Sequence, residues 1–245
     1  RPGSFQGNSN DEMREHLEKL KDRGMKALIL DLRSNPGGLL DQAIRVSDVF
    51  LEDGIIVSTR GRNAEQNMIF EAHAEQPYYG VPLIVLVNGG SASAAEIVAG
   101  ALQDQDRAIV LGTETFGKGS VQTIIPMSDG AGLRLTTAKY YTPSGVSIQA
   151  TGISPDITVP FIPLQEDARA GKNGFKHIWE KDLPNHIEND KNGKEENGGE
   201  DNTSDSGSDD MQKRLQEDNQ LQTALYILKG LMISSQLDIP GPASP

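Results

Sequence analysis

Residues 84–122 read IVLVNGGSASAAEIVAGALQDQDRAIVLGTETFGKGSVQ. The run from Pro82 to Val87 is short and continuously apolar, which suits a strand buried on both faces. Asn88, Gly89 and Gly90 punctuate it, because glycine admits the backbone conformations of a tight turn. From Ala92 to Gln103 small residues alternate with Ile97, Val98 and Leu102, which predicts a helix directly after the turn. Ser93 therefore falls at a helix N-terminus. Free backbone N–H groups and the positive end of the helix dipole favour a developing negative charge there. A serine so placed is either a cap, the commoner role, or a nucleophile.

Working outward, Arg107 to Gly112 reads as a second strand, and the loop after it carries Lys118 between Gly117 and Gly119. The next residues, Ser120 to Ile125, alternate toward a buried strand. A lysine serves as a base only when neutral, and with a reference pKa of about 10.4 burial would have to lower it by about three units. Gln122 could orient the amine by hydrogen bonding without adding a charge, whereas a carboxylate in that role would hold the lysine protonated. A surface lysine and a strand glutamine are the plainer alternative. Glu96, three residues past Ser93, reads as a carboxylate favoured by the helix dipole.

Upstream, Ser9 and Glu12 form a capping-box pattern, and Met13, Leu17 and Leu20 recur at helical spacing up to Gly24. KALILDLR reads as a buried strand closed by the turn SNPGG, Leu39 to Phe50 as a helix and GIIVSTRG as a strand. A short strand around Met68 to Ala72 completes a connecting hairpin. This alternation predicts an α/β domain of βαβ units. After Lys118 the chain is strand-rich: VQTIIPM, a DGAG turn, LRLTTAKYYTPSG and SIQATGISPDITV. Such hairpins have exposed edges to which an extended polypeptide could add.

At 245 residues the chain can hold one large domain with an appendage. Residues 188–210 contain nine acidic and two basic residues and no apolar side chain, and so supply −7 of the −12 net charge. They read as a disordered acidic linker. The acidic balance argues against nucleic acid as a partner. With no cysteine there is neither a disulfide framework nor a thiolate metal site. No His/Asp/Glu cluster has ligand spacing, so no metal or other cofactor is expected. Phe175, Ile178 and Trp179 suggest a short helical segment within 161–187 packed on the core. Within 211–237, Leu221, Ala224, Leu225, Leu228, Leu231 and Met232 share one helical face, and 238–245 reads as a frayed tail. The stripe must bury either against its own domain or in a homodimer.

VNGGSASAAEIVAGAL and GTETFGKGSVQT, preceded by LILDLRSNPGG and followed by LTTAKYYTPSGVSIQATGISPDI, resemble the carboxy-terminal processing peptidases, or tail-specific proteases, from about Glu12 to Val159. The resemblance implies that Ser93 is the nucleophile, Lys118 the general base and Gln122 its support, with the family's spacing of 25 residues between serine and lysine. It also implies an oxyanion hole made by the Ala94 N–H and by Gly37 or Gly38; the sequence leaves open which glycine donates. Ala95 departs from the pattern, since many members have another serine there. The implied fold is a crotonase/ClpP-like βαβ protease core over residues 1–160, with added hairpin strands and a C-terminal helical appendage. The implied activity is ATP-independent serine endopeptidase cleavage of proteins with accessible apolar C-terminal tails. Members generally carry an export signal and a PDZ domain upstream, so the chain, which opens on Arg1, reads as a fragment of a periplasmic or otherwise extracytoplasmic bacterial protein, with regulation by adaptor or PDZ expected in the whole.

Other chemistries fit less well. A Ser/His/Asp hydrolase needs a histidine in a recognisable motif, and none of His16, His73, His177 and His186 sits in one; nor is there a G-x-S-x-G elbow around Ser93. A crotonase-like hydratase has no use for a Ser/Lys pair. A peptide-binding scaffold that had lost catalysis would be expected to lack Ser93 or Lys118.

Overall fold

The computed structural model describes residues 1–63, 65, 67–73, 78–162, 215 and 217–236. The chain divides into two compact units, Arg1–Phe161 with Asn219–Pro245, and Ile162–Asp218. Only residues 162, 215, 217 and 218 of the second are described, so the expected helical segment at 161–187 and acidic linker at 188–210 lie almost wholly outside the described residues, as does the tail at 238–245.

The first unit is built on a parallel sheet of order β1-β4-β5-β8, formed by β1 (Leu28–Asp31), β4 (Leu83–Val87), β5 (Ile109–Gly112) and β8 (Ile157–Thr158). All five residues of β4 are buried, and the two-residue period sends them to opposite faces. Leu83, Val85 and Val87 enter the main apolar cluster with residues of helices α2 (Leu40–Asp48) and α3 (Ala94–Asp104). Ile84 and Leu86 join a smaller cluster with Leu111 and with Ala224 and Leu228 of the last helix, α4 (Asn219–Gln236). The sheet is thus covered on both faces, as parallel sheets require. Of the apolar stripe of α4, Ala224 and Leu228 are buried within the chain, Leu221, Leu225 and Met232 are half-buried, and Leu231 is exposed.

A second, antiparallel sheet has the order β3-β2-β7-β6, from β2 (Ile55–Gly61), β3 (Met68–Glu71), β6 (Ser120–Pro126) and β7 (Gly132–Tyr141). Helix α1 (Ser9–Asp22) buries Leu17 against the main core. Its N-cap is Asn8 rather than Ser9, whose hydroxyl accepts from the Gln6 N–H instead.

Two expectations need correction. Strand β6 is not buried: beyond Val121 both it and the facing half of β7 are exposed, because the hairpin runs past the last strand that pairs with it. SIQATGISPDITV is not a strand except at Ile157–Thr158. Its backbone groups go to turns instead, with Thr151 N–H and Gly152 N–H both donating to the Ile148 carbonyl.

Candidate active site

The carboxyl ends of β1, β4 and β5 point the same way, and the segments leaving them converge; in open α/β sheets this is the end where ligands bind. Residues 33–38 leave β1, 88–93 leave β4 and 113–118 leave β5. Ser93 is the N-cap of α3, at φ 55° and ψ −114°. A non-glycine residue in such a conformation is strained and persists only where its surroundings hold it.

The holding group is Glu96. Its side chain is fully buried, and its carboxylate accepts four hydrogen bonds. Oε2 accepts the Ser93 N–H at 2.7 Å and the Lys118 N–H at 2.9 Å; Oε1 accepts the Gly117 N–H at 2.6 Å and the Thr115 hydroxyl at 2.5 Å. One oxygen therefore joins the backbone of the candidate nucleophile to that of the candidate base. Sequence reading missed this role. The Ser-x-x-Glu spacing announces the bond to Ser93, but the other three donors come from a loop about twenty residues on.

The serines of the SAS motif separate by environment. Ser91 is buried; its hydroxyl donates to the Leu32 carbonyl at 2.8 Å and accepts the Asn88 N–H, which ties the ends of β1 and β4 together. Ser93 is half-buried, and its hydroxyl is committed to no such bond between strands.

Gly37, at φ 92°, lies against the nucleophile turn: a Cβ placed there would come within 2.5 Å of the Ala92 carbonyl oxygen, 2.7 Å of the Ala94 nitrogen and 2.9 Å of Ser93 Cβ. No larger residue fits. The Gly37 N–H is already taken by Asn35 Oδ1 at 2.9 Å. The Gly38 and Ala94 N–H groups have no hydrogen-bond partner among the described residues. Of the two glycines the sequence offers, Gly38 is thus the one whose N–H has no partner among the described residues, which makes it the candidate donor. Asn35 is the second residue whose importance the sequence concealed as an ordinary turn former. It is fully buried, fixes Gly37 through its side chain, and accepts the Ala92 N–H at 2.9 Å with its carbonyl.

The glycines flanking Lys118 are required by close packing. A Cβ on Gly119 would lie 2.3 Å from the Gln149 nitrogen, and one on Gly117 about as close to residues 150 and 152 as 3.2 Å. The backbone of Lys118 is fixed, whereas its side chain is exposed, as is that of Gln122. Neither side chain hydrogen-bonds Ser93 or the other among the described residues. A register irregularity between Val121 and Gln122 separates Gln122 from the lysine loop. Next to this loop, the Tyr140 N–H donates to the Gly119 carbonyl at 2.7 Å, and burial pushes the Tyr140 phenol up from its ordinary value. Of the histidines, His73 sits on the surface against Asp48 at 3.2 Å. Among the described residues no group of three or more His, Cys, Asp or Glu side chains could hold a metal ion.

The sequence profile described as peptidase family S41 matches residues 2–159. A carboxy-terminal-processing protease of Bartonella bacilliformis is 50% identical over 216 residues, which is 86% of this chain and 46% of that protein. A carboxyl-terminal-processing protease of Synechocystis is 45% identical over 168 residues, 68% of this chain and 39% of its own length. The chain therefore spans less than half of these curated relatives. Among solved structures, the photosystem II D1 C-terminal processing protease superposes with a TM-score of 0.60 at 36% identity, covering 64% of this chain and 41% of that one. With Ser93, Lys118 and the turn at Gly37 and Gly38 all inside the matched span, the chain belongs to peptidase family S41.

Proposed function

We propose that this chain is the catalytic core of a serine endopeptidase that cleaves proteins near apolar C-terminal tails without ATP, through Ser93 and Lys118. The observation that carries the reading is the Glu96 carboxylate, whose single oxygen binds the backbone of both residues. Ser93 Oγ attacks the scissile carbonyl carbon while Lys118 Nζ takes the hydroxyl proton. The Gly38 and Ala94 N–H groups stabilise the tetrahedral oxyanion, at the positive end of α3. Collapse transfers the proton from Lys118 to the leaving amine, and water then resolves the acyl-enzyme. Lys118 is exposed, so the desolvation that a lysine base requires comes with the bound polypeptide lying over it. Gln122 reaches the amine in that bound state.

Strand β6 begins two residues after Lys118 and forms the edge of its sheet. The hairpin also exposes Ile124, Ile125, Leu133 and Leu135. Among the described residues the outer edge of β6 is unpaired, and such an edge beside apolar side chains suits an extended apolar tail. Residues 112–119, GTETFGKG, approach the phosphate-loop pattern, but they end in glycine and lead into a strand rather than a helix. This supports chemistry independent of ATP. The names of relatives from bacteria and chloroplasts, and the absence of cysteine, favour an extracytoplasmic site of action. No helix among the described residues is long and apolar enough to cross a membrane.

The test is hydrolysis of a denatured, apolar-tailed protein between pH 6 and 10. Ser93→Ala and Lys118→Ala are each expected to lower turnover by several orders of magnitude with the fold intact. Near-normal cleavage by Ser93→Ala would sink the assignment. Tight binding of the substrate by the wild type without cleavage would assign the chain to a polypeptide-binding scaffold.

A further inference from the structure

Helix α4 returns to the core more than fifty residues after β8, and its first turn carries a buried amide, Gln220, which is 1% exposed. Both ends of that amide are used. Oε1 accepts from Arg33 Nη1 at 2.9 Å, and Nε2 donates to the Val159 carbonyl at 2.6 Å. Rotating the amide by half a turn would set donor against donor and acceptor against acceptor, so its orientation is unique.

Each partner leads to the catalytic end of the sheet. Val159 follows β8, and its N–H donates to the Gly112 carbonyl at 2.8 Å, at the start of the loop to Lys118. Arg33 leads into the oxyanion turn. Its guanidinium is held on one side by Asp31, with Nε on Oδ1 at 2.9 Å and Nη2 on Oδ2 at 2.8 Å, and it reaches Gln220 with the remaining nitrogen. Directly after Arg33 come Ser34, at φ 56°, and Asn35, the residue that fixes Gly37 and Ala92. A left-handed serine between an anchored arginine and a fully buried asparagine has little freedom to absorb a shift. Displacement of Arg33 would pass to the Gly37–Gly38 peptide.

We propose that Gln220 is a positioning residue for the oxyanion turn, so that α4, beyond covering the sheet, sets the geometry of the active site from behind. This rests on the protease reading for its catalytic consequence, but not for its structural one. A buried amide that merely glues a helix to a sheet would affect how much protein is folded. A positioning amide would affect how fast each folded molecule reacts.

The experiment compares wild type, Gln220→Leu and Gln220→Glu in the full chain. Reactive Ser93 is titrated with a fluorophosphonate, steady-state cleavage of a denatured protein gives kcat and KM, and hydrogen exchange is followed over residues 33–39. Leucine keeps the volume and removes both polar contacts; glutamate keeps an oxygen for Arg33 and loses the donor to Val159. The expected result for Gln220→Leu is an unchanged titratable fraction, a kcat about 10- to 100-fold lower, as for a misplacement of about an ångström, and KM within about twofold. Exchange is expected to quicken over 33–39 and to stay unchanged over α3. Gln220→Glu should recover most of the lost kcat. Combined with Arg33→Lys, Gln220→Leu should add little further loss, because both act through one contact. Wild-type kcat and wild-type exchange in Gln220→Leu would overturn the proposal, as would a loss accounted for by fewer titratable sites. If the wild type cleaves nothing while exchange over 33–39 still responds to Gln220→Leu, the positioning role stands and the protease reading falls.

Discussion

Glu96 shows how one side chain can join two candidate catalytic residues through their backbones. A carboxylate has only acceptors, and here two oxygens serve four donors. Glu96→Gln replaces one oxygen by an NH2 group facing two N–H groups or an N–H and a hydroxyl, and a buried mismatch of this kind costs about 1–3 kcal/mol. The strain at Ser93 and the seat of Lys118 then loosen together. We expect kcat to fall by about 10- to 100-fold with little change in KM, and circular dichroism to show a folded protein; unaltered kcat would mean the clamp is unnecessary. The setting of the two candidates was legible in the sequence, because a helix start follows Ser93 and glycines flank Lys118. Glu96 and Asn35 were legible only as residue types. Their partners lie in other segments, and a dipole-favoured carboxylate or a turn asparagine would have the same one-dimensional pattern.

At the scale of elements, strong periodicity was read well: β1, β4, β5, α2 and α3 lie where apolar spacing places them, because each is buried against the same core. Reading failed where neighbours, rather than periodicity, decide. SIQATGISPDITV has strand-like composition, yet its middle folds into turns that pack against the Lys118 loop, with the Ala150 N–H on the Gly117 carbonyl at 2.8 Å and the Ile153 N–H on the Thr115 hydroxyl at 2.7 Å. The β6–β7 hairpin has the alternation of a half-buried ribbon, but beyond Val121 and up to Thr136 on the facing strand it is exposed on both faces. Leu133 and Leu135 lie two apart on one strand, Leu133 opposite Ile125, and share a face. Leu135→Asp places a charge on that face. It is expected to raise KM for a denatured apolar protein several-fold while leaving kcat nearly unchanged; equal KM values would remove the hairpin from substrate contact.

For the molecule as a whole, stability is distributed over two apolar layers of unequal size, the main core and the patch under α4. Leu228→Ala removes a nearly buried side chain from the smaller layer, which should destabilise the fold by about 2–5 kcal/mol. Thermal unfolding should show this as a clearly lower Tm, and an unchanged Tm would mean that α4 is not part of the cooperative unit. The sequence showed that α4 had to bury its stripe but not where, since the receiving surface is made by strands more than a hundred residues away. That distance has a practical side. Among the described residues the seat of α4 is formed by Ile84, Leu86, Leu111, Arg33 and Val159, all within residues 1–161, and recognition between seat and helix does not require the two to be covalently joined. The molecule is therefore a natural candidate for fragment complementation, in which a synthetic peptide spanning 215–236 would dock on residues 1–161 in trans.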